Sequence, residues 1–439
     1  MSLSILPPEI LGEIVSDLHP SQQRTMRLAC RALNAASEPF ALSTFAVTGH
    51  LLQKENAAEL LQNIADGRST WGRYARTLVV QALRNLGQLQ ETDAESEKEA
   101  ALRQALAAMP LIHSVQWTVR DGEFQWMHLA VQSALGNLKH LDSLDVHIMH
   151  YRTPYIPFDL SFIGGLKNLK FQATTGRDFP PINEQVAKIV AQSPDLRSLD
   201  LTYQDYSPVW NRLPGHAQLT KLRTTHVNAN LLQFVASQAG LTELWLSVDA
   251  GDKRSSNALA RTFLPSVLAC QAPTLVELSL FASYENDWSV VPSSADVLRS
   301  VATEMVKLKE LSVSVNSSDA EKAVHRALNL IPLFPALETL SITYSSSEGA
   351  RRARCGNPRM MHGKRMRDGI AAAMQSFRTS TDFGAAGRMF EAHASGAWLF
   401  GAVGDDGEQQ LFGFKPKPLT PEQEEMNKRM GRRPIAYLS

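Results

Sequence analysis

Two rhythms of apolar positions alternate along the chain. The first is a short strand-like pattern, Leu-x-x-Leu-x-Leu with conservative replacements, which returns about ten times. It is weak at Ala75, Leu78 and Val80. It then runs through Ile112, Val115 and Trp117; Leu141, Leu144 and Val146; Leu166, Leu169 and Phe171; and Leu196, Leu199 and Leu201. A frayed copy, Leu219 and Leu222, has Thr224 in third place. The pattern resumes at Leu241, Leu244 and Leu246; Leu275, Leu278 and Leu280; Leu308, Leu311 and Val313; and Leu337, Leu340 and Ile342. Successive copies lie roughly 22 to 37 residues apart, averaging near 29. The second rhythm, a three-and-four helical spacing, fills most intervals: 95–109, 124–135, 183–192, 229–239, 257–269, 295–308 and 319–333. Met109-Pro110, Ser193-Pro194, Ala272-Pro273 and Phe334-Pro335 stop such helices just before the next leucine pattern. Alternating strands and helices imply parallel strands with right-handed crossovers. At this repeat length the units stack into a curved solenoid, strands inside and helices outside.

A different pattern precedes the repeats, over residues 5–42. Leu6, Ile10, Leu11, Ile14, Val15 and Leu18 share one broad helical stripe, and Pro7 and Pro8 suit the first turn. A second helix is expected over 25–37, carrying Met26, Ala29, Cys30 and Leu33 on one face. Two helices this short cannot bury all of that surface against each other, so part of it needs the rest of the chain or another protein. A further helix is expected over 51–67.

The succession Leu6-Pro7-Pro8-Glu9-Ile10-Leu11, Ile14-Val15, Leu18, Leu28-Ala29-Cys30-Arg31, Leu33 and Pro39-Phe40 resembles an F-box. Met26 and Ala29 stand where that family more often has Leu and Val, and Ala32-Leu33 replaces a frequent aromatic. The resemblance implies a small helical bundle that docks on the Skp adaptor of cullin-based ubiquitin ligases. It implies first-helix contacts at Leu6, Pro7, Glu9, Ile10 and Ile14, and second-helix contacts or bundle core at Leu28, Cys30 and Leu33. The repeats that follow resemble the leucine-rich repeats of fungal-type F-box proteins. That family's Asn after the strand, which ties successive turns together, is largely replaced, by Gln204, Val248, Ser283 and Tyr344.

The expected fold is therefore α/β: an F-box bundle (1–45), a linker helix (46–72) and an irregular leucine-rich-repeat solenoid (73–346). A basic, partly flexible segment (347–395) follows, then a C-terminal hairpin, short helix and tail (396–439). Trp398-Leu399-Phe400 and Leu411-Phe412-Gly413-Phe414 flank Gly404-Asp405-Asp406-Gly407, which predicts the hairpin. Thr420-Pro421-Glu422-Gln423 is similar to a capping box opening a last helix over 424–430. Strand alternation places the leucines in the core and their neighbours on the concave face. Those neighbours include Asp145, His147, Asp200, Arg223, Trp245 and Phe281, the candidate target-binding residues.

Charge and chemistry narrow the function. With 44 basic and 44 acidic residues the formal net charge is zero, which removes any global attraction to nucleic acid or anionic membrane. The basic segment Arg351-Arg352-Ala353-Arg354, Arg359, Lys364, Arg365 and Arg367 reads as a solvated loop, with a nuclear-import signal or nucleic-acid contact as the alternative. Three cysteines far apart (Cys30, Cys270, Cys355), no signal core and no long apolar run point to an intracellular protein, cytoplasmic or nuclear. No hydrolase elbow, zinc motif, paired Cys-x-x-Cys or dinucleotide fingerprint occurs, and Gly356 to Lys364 fails the phosphate-loop spacing. No catalytic residue, cofactor, metal or small-molecule substrate is expected. The resulting expectation is a non-catalytic substrate receptor of a Skp-cullin-F-box ligase, with an unidentified target protein. A repeat scaffold without a ligase role, a nucleic-acid-associated protein and an α/β hydrolase are the alternatives.

Overall fold

The computed structural model describes residues 6–81, 93–120, 123, 125–149, 158–174, 180–202, 206–213, 218–248, 252–316, 320–347, 357–383, 391–394, 396–405, 410–418, 420 and 422. The chain forms two compact units, Met1–His226 and Val227–Ser439.

The first unit opens with three helices where the apolar spacing predicts two: α1 (Pro8–Ser16), α2 (Pro20–Met26) and α3 (Arg31–Ala41). Local capping explains the difference. Gln22 Oε1 accepts from the His19 amide at 3.0 Å, and Pro20 takes the first helical position, so α2 starts early. Cys30 is fully extended (φ −161°, ψ 167°) as the N-cap of α3, which breaks the helix expected over 25–37. The buried Gln23 amide donates to the Val15 and Leu18 carbonyls, each at 3.0 Å, satisfying the end of α1. Leu11, Val15 and Leu33 are buried where α3 packs on α1 and α2.

Strand β1 (Thr44–Val47) comes next, outside the predicted repeat. Two helices, α4 (Gly49–Leu52) and α5 (Ala57–Ala65), replace the single one expected over 51–67, with polar residues 53–56 turning between them. The rest of the unit is α6 (Trp71–Tyr74), β2 (Thr77–Val80), α7 (Asp93–Ala107), β3 (Ser114–Arg120), α8 (Gln125–Asn137), β4 (Ser143–Met149), β5 (Asn168–Thr174), α9 (Pro180–Ala191), β6 (Ser198–Thr202), α10 (Ser207–Trp210) and β7 (Lys221–Thr224). Strands β1 to β7 pair in chain order and all in parallel.

The second unit contains α11 (Ala229–Ser237), β8 (Glu243–Val248), α12 (Lys253–Thr262), α13 (Leu268–Gln271), β9 (Glu277–Ala282), α14 (Pro292–Ala302), β10 (Glu310–Val315), α15 (Ala320–Leu328) and β11 (Thr339–Tyr344). It ends with α16 (Asn357–Ser376), β12 (Glu391–His393), β13 (Ala397–Asp405) and β14 (Gln410–Pro416). Between α12 and α13 the helix widens into a π turn, Phe263–Val267, at Pro265, which has no amide to donate. Strands β8 to β11 are parallel. β12 joins β11 in parallel, and the hairpin β13–β14 continues the sheet antiparallel, as its sequence predicts.

Part of the expected flexible segment is instead α16, which buries Met366, Ile370, Ala373 and Met374 and packs against α15 and β14. Lys364, Arg365 and Arg367 lie on its exposed side. Arg351, Arg352, Arg354, Cys355 and the expected last helix lie outside the described residues.

Each leucine pattern does what its spacing dictates. In β4, Leu144, Val146 and Ile148 are buried while Asp145, His147 and Met149 are half-exposed. The leading leucines, such as Leu141, Leu196, Leu241 and Leu308, are buried just before their strands. Each such side chain contributes about 1.5–3 kcal/mol of burial. In the frayed copy Thr224 is buried in third place, and its hydroxyl accepts from the His226 amide at 3.3 Å.

The missing Asn ladder has a backbone substitute. One carbonyl on each rung accepts two amides from the next. Arg76 and Thr77 donate to Ser43, His113 and Ser114 to Arg76, Asp142 and Ser143 to His113, and Lys167 and Asn168 to Asp142. In the second unit Val276 and Glu277 donate to Thr242, and Lys309 and Glu310 to Val276. This repeated fork fixes the register without a conserved side chain. By this geometry each unit is a mostly parallel α/β repeat of the leucine-rich type.

Candidate protein-docking surfaces

The opening helices divide their apolar residues between two sides. Leu11, Val15 and Leu33 face inward, whereas Leu6 is 37% exposed, Ile10 40% and Ile14 38%. Ile10 and Ile14, four apart, share one outward stripe of α1, and Leu6 lies exposed just before the helix, with Pro7 and Glu9 exposed beside them. Leu28 and Cys30 stand in the α2–α3 turn, both exposed, Leu28 to 87%. Leu33, expected as a second-helix contact or as bundle core, takes the second role. At 6% exposure it is bundle core and has no surface to offer a partner.

Polar side chains tie the bundle together. Arg27 reaches Glu38 at 3.5 Å and Asn34 at 3.1 Å, tying the α2–α3 turn to α3. Glu38 also accepts from the Thr70 hydroxyl at 2.7 Å, which ties α3 to the start of α6.

The open face of the first unit's sheet carries Asp145, His147, Asp200 and Arg223. Parallel register aligns Gln116, Asp145, Lys170, Asp200 and Arg223 into one row across five strands. The charges alternate and pair: Lys170 Nζ lies 2.9 Å from Asp145, and Arg223 Nε 3.9 Å from Asp200. Asp200 is the most enclosed. Burial raises its pKa above the usual carboxylate range, while Arg223, Lys170 and a hydrogen bond from Gln172 oppose that shift. His147 lies in the next row, between Thr118 and Gln172. The row is largely self-neutralised, so a partner gains little from its charges.

The second unit carries Trp245 and Phe281. Register sets Trp245 opposite Ser279 and Phe281 opposite Ser247, so the two are diagonal neighbours on adjacent strands. Their rings meet at 5.5 Å between centroids, tilted by 54°, and both side chains are half-exposed. An aromatic pair held on a rigid sheet among serines is the kind of surface that anchors a protein partner.

No protein-family model and no curated protein matches the sequence. Among solved structures, the complex of Rad7 and Elc1 from yeast is similar at 13% identity, with 80% of this chain and 90% of that chain covered and a TM-score of 0.39. A Bacteroides fragilis protein is similar at 13% identity over 55% of this chain and 62% of that one, with a TM-score of 0.26. Both likenesses are remote.

Sequence reasoning missed two features. Glu123 and His128 form a buried pair, His128 Nε2 to Glu123 Oε2 at 3.4 Å, packed beside Trp117 and Phe158. A lone His in an apolar helix gives no sign of such a partner. The other is a cavity along β1, a strand that was missed although Leu42, Phe45 and Val47 keep the leucine spacing. Among the described residues no three His, Cys, Asp or Glu side chains are placed to hold a metal, and no helix is long and apolar enough to cross a membrane.

Proposed function

We propose that the chain is the substrate-receptor subunit of a cullin-based ubiquitin ligase. The opening bundle docks on a Skp adaptor through Leu6, Pro7, Glu9, Ile10, Ile14, Leu28 and Cys30. The repeats hold a target protein, with Trp245 and Phe281 as anchors and Asp145, His147, Asp200 and Arg223 as polar surroundings. The mechanism is proximity: fixing a target near the ubiquitin carrier raises the effective concentration of its lysines, and no residue of this chain performs covalent chemistry. The observation that carries the reading is the exposure of Leu6, Ile10 and Ile14 on a bundle whose inner face is already filled by Leu11, Val15 and Leu33.

Hydrogen exchange on the full chain tests it. Adding a purified Skp adaptor should slow amide exchange in α1 and in residues 27–30 and leave β8 to β11 unchanged. Protection confined to the strands, or none at all, would count against adaptor docking by these helices.

A further inference from the structure

Strand β1 is the first of its sheet and, among the described residues, is paired on one side only, with β2. The Ser43 carbonyl accepts from Thr77 and the Val47 carbonyl from Gln81, each at 3.0 Å. In a parallel ladder alternate residues bond to the same neighbour. Ser43, Phe45 and Val47 therefore face β2, and the backbone groups of Thr44 and Ala46 turn to the free edge. They have no backbone partner among the described residues. Such an edge is a template for another strand, and here neither Pro nor a bulge blunts it.

A cavity of about 520 Å³ runs along this edge. Thr44, Phe45, Ala46 and Thr48 all line it. Residues of both alternations line it, so the cavity follows the edge of the strand rather than either face. Its floor is apolar: Leu61 and Ile64 of α5, and Trp71, whose ring meets Phe45 edge-on at 5.3 Å. The exposed Arg24, His50 and Lys54 rim it, and no carboxylate lines it. Neither Arg24 nor Lys54 has an ion-pair partner among the described residues, whereas Arg27 and Arg68 do.

We propose that this groove binds an acidic, extended segment of a partner protein as an added strand on β1. The segment's backbone pairs with Thr44 and Ala46, one apolar side chain enters the cavity over Leu61 and Trp71, and flanking carboxylates meet Arg24, His50 and Lys54. The cavity volume suits a single large side chain with room for the adjoining backbone. This surface is separate from the exposed Leu6, Ile10 and Ile14 and does not depend on adaptor docking.

The test is fluorescence anisotropy on the full chain, with labelled peptides that alternate Glu and Val around a central Leu, Ile, Phe or Trp. Two controls accompany them: the same peptides with Lys for Glu, and the Glu peptides N-methylated on alternate amides, in both registers. Saturable binding is expected for the Glu set and not for the Lys set. One N-methylated register should fail. Arg24→Glu with Lys54→Glu should weaken binding about tenfold. Ala46→Pro should abolish it with an unchanged circular dichroism spectrum, because that amide makes no ladder bond. The proposal is overturned by no saturable binding in the Glu set, by equal binding of the Lys set, or by indifference to both N-methylation and Ala46→Pro.

Discussion

At the scale of single residues, His128 gives the sharpest prediction. The Glu123 carboxyl 3.4 Å away would favour a charged ring, yet burial dominates and holds the His128 pKa down from 6.5 to about 4. Burial prevails because Nδ1 has no hydrogen-bond partner that could share the charge. The ring is therefore neutral when folded, while the unfolded chain takes up a proton below pH 6.5. Stability is full above that pH and falls as the pH drops through the window from 6.5 towards 4, by ~2 kcal/mol at pH 5. Urea denaturation at pH 7.5 and pH 5 should show this loss in the wild type and a smaller one in His128→Leu. Equal losses would place the proton elsewhere. Trp245→Ala with Phe281→Ala should cost little stability, since both rings are half-exposed, and should remove target capture in proximity labelling. Which of these residues face outward was legible from strand alternation. Their pairings were not, because the Asp145–Lys170 contact and the Trp245–Phe281 diagonal depend on register between distant segments.

At the scale of elements, leucine spacing found β2 to β11, and the Asp-Gly signal found the hairpin. β1 escaped although Leu42, Phe45 and Val47 keep that spacing, because Leu42 also closes α3 and was read with the opening helices. Helix limits were misread where caps decided them: His19 starts α2 and Cys30 starts α3, though the apolar stripe runs on. α16 was read as loop because its first turns are basic, while its burial depends on Met366, Ile370 and Met374 further along. The join between α6 and the end of α7 makes a testable case. A Cβ on Gly72 would lie 2.5 Å from the Ala108 carbonyl oxygen, a backbone atom that cannot swing away. Gly72→Ala should cost about 1–3 kcal/mol in urea denaturation, where an exposed helical glycine would gain from the same change. No loss would mean that α6 and α7 are free to separate.

At the scale of the whole molecule, a helical bundle with an outward apolar stripe precedes repeat sheets bearing an aromatic pair. The repeat type follows from the geometry of each unit and the ligase role is a proposal, so the decisive test addresses the bundle. That test is the affinity of the intact chain for a purified Skp adaptor, wild type against the combined Leu6→Ala, Pro7→Ala and Ile10→Ala variant, by isothermal titration. All three side chains are exposed, so the variant should keep the wild-type circular dichroism spectrum. Adaptor docking by the bundle predicts saturable binding by the wild type, weakened about a hundredfold in the variant. Absence of binding by the folded wild type, or equal affinity in the variant, would contradict it.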